Sequence, residues 1–304
     1  VTTATAQPPR LLLLARDIKL SHSVFALPFA VLAGYLAAAA RGIVLHQQWV
    51  LLTLLVVCMV FARTVAMTVN RLADFQLDAK NPRTAGRAIP SGQLTPGYVL
   101  AATVVCAICF VVTASGFWFM DGNMWPVILS PFVLLWLCLY SFTKRFTWLC
   151  HLFLGSALAL SPIAASIAVH PAYLVHPAPW LLAVMVMCWV AGFDVIYALQ
   201  DVQVDRDQGL YSMPSRLGVE RALWISRVLH VVAIGALFTM WRTSPALGEA
   251  FLIGAVIAAG LLILEQGIIW RSATNHIHIA FLTVNGVFSV LLGVLGVVDI
   301  LRLG

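Results

Sequence analysis

Apolar residues run along this chain in nine long stretches, at about 21–40, 49–69, 98–117, 124–141, 149–169, 179–200, 222–241, 246–267 and 277–299. About 20 such residues cross the hydrocarbon of a bilayer as one helix, so each stretch predicts a membrane span. The polar positions collect between the stretches. Two connections are longer than the rest, about 70–97 and about 201–221, and both carry Gly, Pro and basic residues. Long connections in a compact bundle are disproportionately functional. The first stretch follows Arg16 and Lys19 and is longer than the apolar part of a removable signal peptide, so it is expected to be retained as a span.

Composition agrees with burial in lipid. Hydrophobic residues make up 62% of the 304 positions and charged residues 10%, with a mean hydropathy of +0.96. A soluble domain is roughly half apolar and about a quarter charged. The net charge of +6 does not point to nucleic acid, because its distribution follows membrane topology. With the N-terminus inside, 13 Lys and Arg residues fall in cytoplasmic segments and only Arg41, Arg242 and Arg302 on the far side. The protein is therefore expected in a bacterial inner membrane, with both long connections facing the cytoplasm.

Six cysteines lie in or beside apolar stretches and are expected to pack as small apolar residues. The histidines, including His22, His151, His276 and His278, are expected to be packed or interfacial. The tryptophans fall mostly near span ends, where interfacial anchoring accounts for them. Glu265, inside the eighth stretch, has no evident role in the sequence.

The acidic residues are the informative minority. Only 12 are present, and five of them form two clusters at the ends of apolar stretches. One is Asn70-x-x-x-Asp74-x-x-x-Asp78; the other is Asp201-x-x-x-Asp205, with Asp194 seven residues upstream. Residues four apart share a helix face, and like charges stacked there repel. A bound cation reverses that penalty. Mg²⁺ suits the set, since it takes a few carboxylates and completes its shell with water and substrate phosphate. Arg71, Lys80, Arg83 and Arg87 follow the first cluster and Arg206 the second, supplying charge for the oxygens of a diphosphate. Stabilising the departing charge suits diphosphate as a leaving group.

These motifs resemble the two Asp-rich motifs of the UbiA superfamily of intramembrane prenyltransferases. Lys80-Asn-Pro-Arg-Thr-Ala-Gly-Arg87, Pro90-Ser-Gly and Tyr140-Ser-Phe-Thr-Lys-Arg-Phe-Thr147 extend the similarity, which runs from His22-Ser-Val-Phe-Ala-Leu-Pro28 to the end. The branch it resembles most closely is the 4-hydroxybenzoate polyprenyltransferase-like one, which includes naphthoate prenyltransferases of menaquinone biosynthesis. The resemblance implies a single all-α membrane domain over 1–304, with nine helices around a central cavity and a cytoplasmic cap from the two long connections. It implies Mg²⁺-dependent transfer of a polyprenyl group from polyprenyl diphosphate to an aromatic acid, of the 4-hydroxybenzoate or dihydroxynaphthoate type, in ubiquinone or menaquinone biosynthesis.

Carried over residue by residue, Asn70, Asp74 and Asp78 would hold one metal, and Asp201 and Asp205 the other. Asp194 would lie near the reacting ring. Lys144 and Arg145 would bind diphosphate or acceptor, with Tyr140 beside them and Arg16 or Lys19 toward the acceptor carboxylate. Phe75, Phe142, Phe193 and Tyr197 supply further rings for a carbocation. A haem- or chlorophyllide-type acceptor is the alternative within the superfamily. A cation-coupled transporter is the alternative outside it, and would place its acids at the membrane midplane rather than at span ends.

Overall fold

The computed structural model describes residues 8–19, 25–272 and 283–303, with the side chains of 270–272 excepted. Among these residues the regular structure is helical, without strands. His22, His276, His278, the start of the first predicted span and the start of the ninth lie outside the described residues. Among the described residues eight helices are long and apolar enough to cross a membrane, and a shorter apolar one, Leu27–Ala40, joins them. The protein is an integral membrane protein.

The chain begins with a short helix α1 (Arg10–Asp17), followed by α2 (Leu27–Ala40) and α3 (Trp49–Asp78). Next come α4 (Pro96–Asp121), α5 (Trp125–Thr143), α6 (Cys150–Val169) and α7 (Pro177–Tyr197). A 3₁₀ turn (Ala198–Asp201) leads into α8 (Val202–Asp207) and α9 (Met213–Leu217). The last three are α10 (Val219–Thr243), α11 (Glu249–Ser272) and α12 (Asn285–Leu303).

Two boundaries differ from the sequence reading, and both shape the site. The first long connection was expected from about 70, but α3 continues to Asp78, so the connection begins at 79 and Asn70, Asp74 and Asp78 stand on the helix end that their four-residue spacing predicts. No Gly or Pro interrupts the chain there, and hydropathy falls two turns before the helix does. The loop proper runs from 79 to 95 and ends where Thr95 caps α4, its Oγ1 accepting from the Tyr98 N–H at 3.3 Å ahead of Pro96. The second connection, expected as a loop over about 201–221, holds α8, α9 and the start of α10. Asp201 sits at φ −110°, ψ 6°, off the helical path. Asp194 and Asp201 therefore do not share one uninterrupted helix face.

The core gathers around Trp189 of α7, which is fully buried. Its ring stacks on Phe288 of α12 at 4.7 Å and meets Phe29 of α2 and Phe193 edge-on at 5.5 and 5.2 Å. The indole N–H donates to Asn285 Oδ1 at 2.7 Å, and Asn285 Nδ2 donates to Glu265 Oε1 at 2.9 Å. Glu265 thus has a structural role, tying α11 to α12 and, through Asn285, to α7. Helices α6 and α7 pack closest where Gly155 faces Met187: a Cβ at 155 would lie 2.3 Å from the Met187 carbonyl oxygen. That approach sets α7 against α6 in the region that carries His151 and Asp194.

Candidate active site

Two cavities lie along α3 and the α7–α8 segment. The larger, about 590 Å³, is lined almost wholly by apolar side chains of α3 to α7 with Phe25 and Leu27, and it also holds Arg63, Tyr140 and Asp194. The smaller, about 160 Å³, is lined by Asn70, Asp74, Asp78, Asn81, Arg83, Arg87, Lys144, Asp201, Asp205 and Gln208. Because α3 is continuous, Arg63 and Asp74 stand about 16 Å apart along its axis. One helix thus carries a guanidinium in the apolar cavity and carboxylates in the polar chamber. The segment from α7 to α8 repeats this, with Asp194 in the first and Asp201 and Asp205 in the second.

Both acidic clusters therefore face one chamber, each countered by basic residues from elsewhere in the chain. Asp74, 2% exposed, accepts from Lys144 Nζ at 2.6 Å and from Arg145 Nη2 at 3.0 Å. Arg145 also donates to the Ala73 and Ser141 carbonyls, which makes it a clamp between α3 and α5. Asp78 accepts from Arg87 at 2.6 Å. Asp201 accepts from Arg83 Nε at 3.0 Å and from Asn81 Nδ2 at 2.9 Å, so the loop after α3 is fastened to the second cluster. Burial works against the Arg83 charge, but Asp201 outweighs it and raises the Arg83 pKa above its ordinary value. Asp205 accepts from the Ser212 hydroxyl at 2.6 Å.

Other expected residues take different positions. Arg71 turns away from the chamber and pairs with Asp17 of α1 at 3.1 Å. Lys80 is exposed and outside the chamber lining. Arg206 is exposed as well, its Nε donating to the Ser215 carbonyl at 3.3 Å. Tyr140 donates to the Ala66 carbonyl at 3.4 Å and faces the apolar cavity. Loss of solvent, then the charges of Arg71, Arg87 and Arg83, lower the pKa of Lys19. Its carbonyl accepts from Arg63 at 3.3 Å. Arg16 is exposed.

Four contributors escaped the sequence reading. Asp17 joins Arg71 to the Ala88 N–H, at 2.9 Å, and so docks α1 on the loop. Asn81 holds Asp201. Arg63 lies within the second apolar stretch, and its Nε is buried without a partner among the described residues. His151, expected to be packed or interfacial, places Nδ1 2.6 Å from Asp194 Oδ2. A lone Arg inside an apolar run was the one available signal, since such charges seldom occur without a function.

The chamber's donors suit a hard divalent cation. Asp74, Asp78, Asp201, Asp205 and Asn70 offer only oxygen ligands on one cavity wall, the chemistry of Mg²⁺ rather than of a thiolate- or imidazole-bound metal. Among the described residues no three of His, Cys, Asp and Glu converge to ligating distance. Lys144, Arg145, Arg83 and Arg87 instead neutralise the carboxylates.

Comparison with known proteins accords with this geometry. The model of the UbiA prenyltransferase family matches residues 26–292. A 4-hydroxybenzoate octaprenyltransferase of Saccharophagus degradans is 30% identical over 260 residues, covering 84% of this chain and 82% of that protein. Its counterpart in Aliivibrio fischeri is 29% identical over 251 residues, covering 81% and 82%. Among solved structures, the apo form of a UbiA homolog from Aeropyrum pernix superposes with a TM-score of 0.79 at 27% identity, over 92% of this chain and 98% of that one. A UbiA homolog from Archaeoglobus fulgidus bound to GPP and Mg²⁺ shares the fold, with a TM-score of 0.68 at 16% identity over 96% and 99%. With most of its length matched, the chain belongs to the UbiA prenyltransferase family.

Proposed function

We propose that the protein transfers a polyprenyl group from polyprenyl diphosphate to a carbon of an aromatic acid of the 4-hydroxybenzoate type, in quinone biosynthesis, with Mg²⁺ and from the cytoplasmic side. One observation carries the reading: a chamber of carboxylates and basic groups opens beside an apolar cavity that itself holds a guanidinium and a carboxylate. A diphosphate head with an apolar tail matches the first contrast, and a carboxylated phenol matches the second. The relatives named for 4-hydroxybenzoate support the acceptor class. A dihydroxynaphthoate has the same carboxylate and phenol and is the second acceptor to try.

Asn70, Asp74, Asp78, Asp201 and Asp205 would hold the metal, which neutralises diphosphate charge when bound. Arg83, Arg87 and Lys144 exchange their carboxylate partners for phosphate oxygens as the donor enters. The bond between donor C1 and the diphosphate oxygen breaks, and the electron pair leaves on the diphosphate. The allylic cation lies among apolar side chains that exclude water, near the faces of Phe25, Phe193 and Tyr140. Arg63 receives the acceptor carboxylate. The ring carbon forms the new C–C bond, and its proton passes to Asp194 as the C–H electron pair restores aromaticity.

The test is to incubate purified protein with geranyl diphosphate, Mg²⁺ and either 4-hydroxybenzoate or a dihydroxynaphthoate, with product detected by mass. A C-prenylated acid is expected. Diphosphate release with no aromatic product from either acid overturns the acceptor assignment.

A further inference from the structure

We propose that His151 is the positioning residue for Asp194, a role that rests on the functional reading above. His151 is 3% exposed. Its Nε2 accepts from the Met213 backbone N–H at 3.3 Å, and its Nδ1 faces Asp194 Oδ2 at 2.6 Å. A backbone N–H only donates, so Nε2 carries the lone pair and the ring proton resides on Nδ1. That proton points at Asp194. The Nδ1–H donor faces Asp194 in either protonation state of the ring.

The consequence lies at Asp194. One carboxylate oxygen is held by the imidazole, and the carboxylate is turned toward the apolar cavity that it lines. A carboxylate on the last turns of a helix otherwise has free χ1 and χ2 rotation, and in an apolar cavity it would swing toward the basic chamber. Met213 opens α9, and the preceding residue, Ser212, donates to Asp205 in the polar chamber. Adjacent residues thus tie the donor end of the site to His151, and His151 to the acceptor end. Close packing at Gly155, one turn along α6, brings the imidazole within reach of α7.

The experiment compares wild type, His151→Leu and His151→Asn with Mg²⁺, geranyl diphosphate and 4-hydroxybenzoate. It measures aromatic product, prenol formed by water capture, diphosphate release and the thermal midpoint in detergent. Leucine keeps bulk and removes the donor, whereas the asparagine amide donates from near the Nδ1 position. The Leu variant is expected to lose about 100-fold in aromatic product while diphosphate release and donor KM change less than about threefold. The partition shifts to prenol, and Asn restores at least about a tenth of the aromatic product. Both products come from the same folded molecules, so their ratio is independent of how much protein folds. An unchanged ratio in the Leu variant overturns the inference, as does a parallel loss of every product in both variants. If the wild type itself yields diphosphate but no aromatic acid, the functional reading fails, and the inference with it.

Discussion

Lys144, at the end of α5, places its ammonium 2.6 Å from Asp74 Oδ2 on α3, so a carboxylate that would bind metal is neutralised by a side chain that would bind phosphate. On the proposed mechanism, donor entry would replace this internal pair with two new ones. Asp74→Asn is expected to lower diphosphate release at least about 1000-fold, since it would remove a proposed metal ligand and leave Lys144 and Arg145 facing a neutral amide. Lys144→Ala is expected to raise donor KM about 10- to 100-fold, the worth of one charge-assisted contact. Steady-state assays of diphosphate release separate the two.

Arg83 and Arg206 test geometry against proximity in sequence. Both follow an acidic cluster, but only Arg83 lines the chamber; Arg206 is turned to the Ser215 carbonyl. Arg83→Ala is expected to raise donor KM at least about tenfold, and Arg206→Ala to leave it within about threefold. Equal effects would mean that α8 rotates on donor binding.

Arg63 lines the apolar cavity and not the polar chamber, and its Nε is buried without a partner among the described residues. Arg63→Leu is expected to raise the KM for the aromatic acid about 10- to 100-fold and to leave donor KM nearly unchanged. Assays that vary each substrate in turn measure the contrast.

Gly155→Ala drives a methyl group into the Met187 carbonyl, a contact of 2.3 Å that only separation of α6 and α7 relieves. Overpacking of this kind costs about 1–3 kcal/mol. A lower thermal midpoint in detergent is expected, together with lost aromatic product, because Asp194 and His151 part with the helices. Diphosphate release is expected to fall less.

Much of this fold was legible because lipid imposes a simple rule: apolar runs of helical length span it, and carboxylates at their ends are conspicuous. Asn70, Asp74, Asp78, Asp201 and Asp205 were legible from spacing alone, and they line one chamber. The start of the first connection at 79 was not, because hydropathy falls before helical hydrogen bonding does. Nor was the break at Asp201, which no Gly or Pro signals. Partner choice was legible least. Arg71 adjoins Asn70 in sequence yet pairs with Asp17, 54 residues away, and Asp201 is held by Asn81 and Arg83 across 120 and 118 residues. Such pairs follow from the packing of α1, α3 and α7, which no local pattern encodes. His151 was hidden for the same reason, as its meaning lies wholly in Asp194 and Met213.

The most direct test is calorimetric titration of the protein with geranyl thiodiphosphate, a donor analogue slow to ionise, with and without Mg²⁺. Wild type, Asp74→Ala and Asp201→Ala are compared. Binding that requires Mg²⁺ and is weakened at least about 100-fold by either substitution is expected if the two clusters grip one metal-bound diphosphate. Binding of equal strength without the metal, or undiminished in either variant, would show that the chamber is not the donor site.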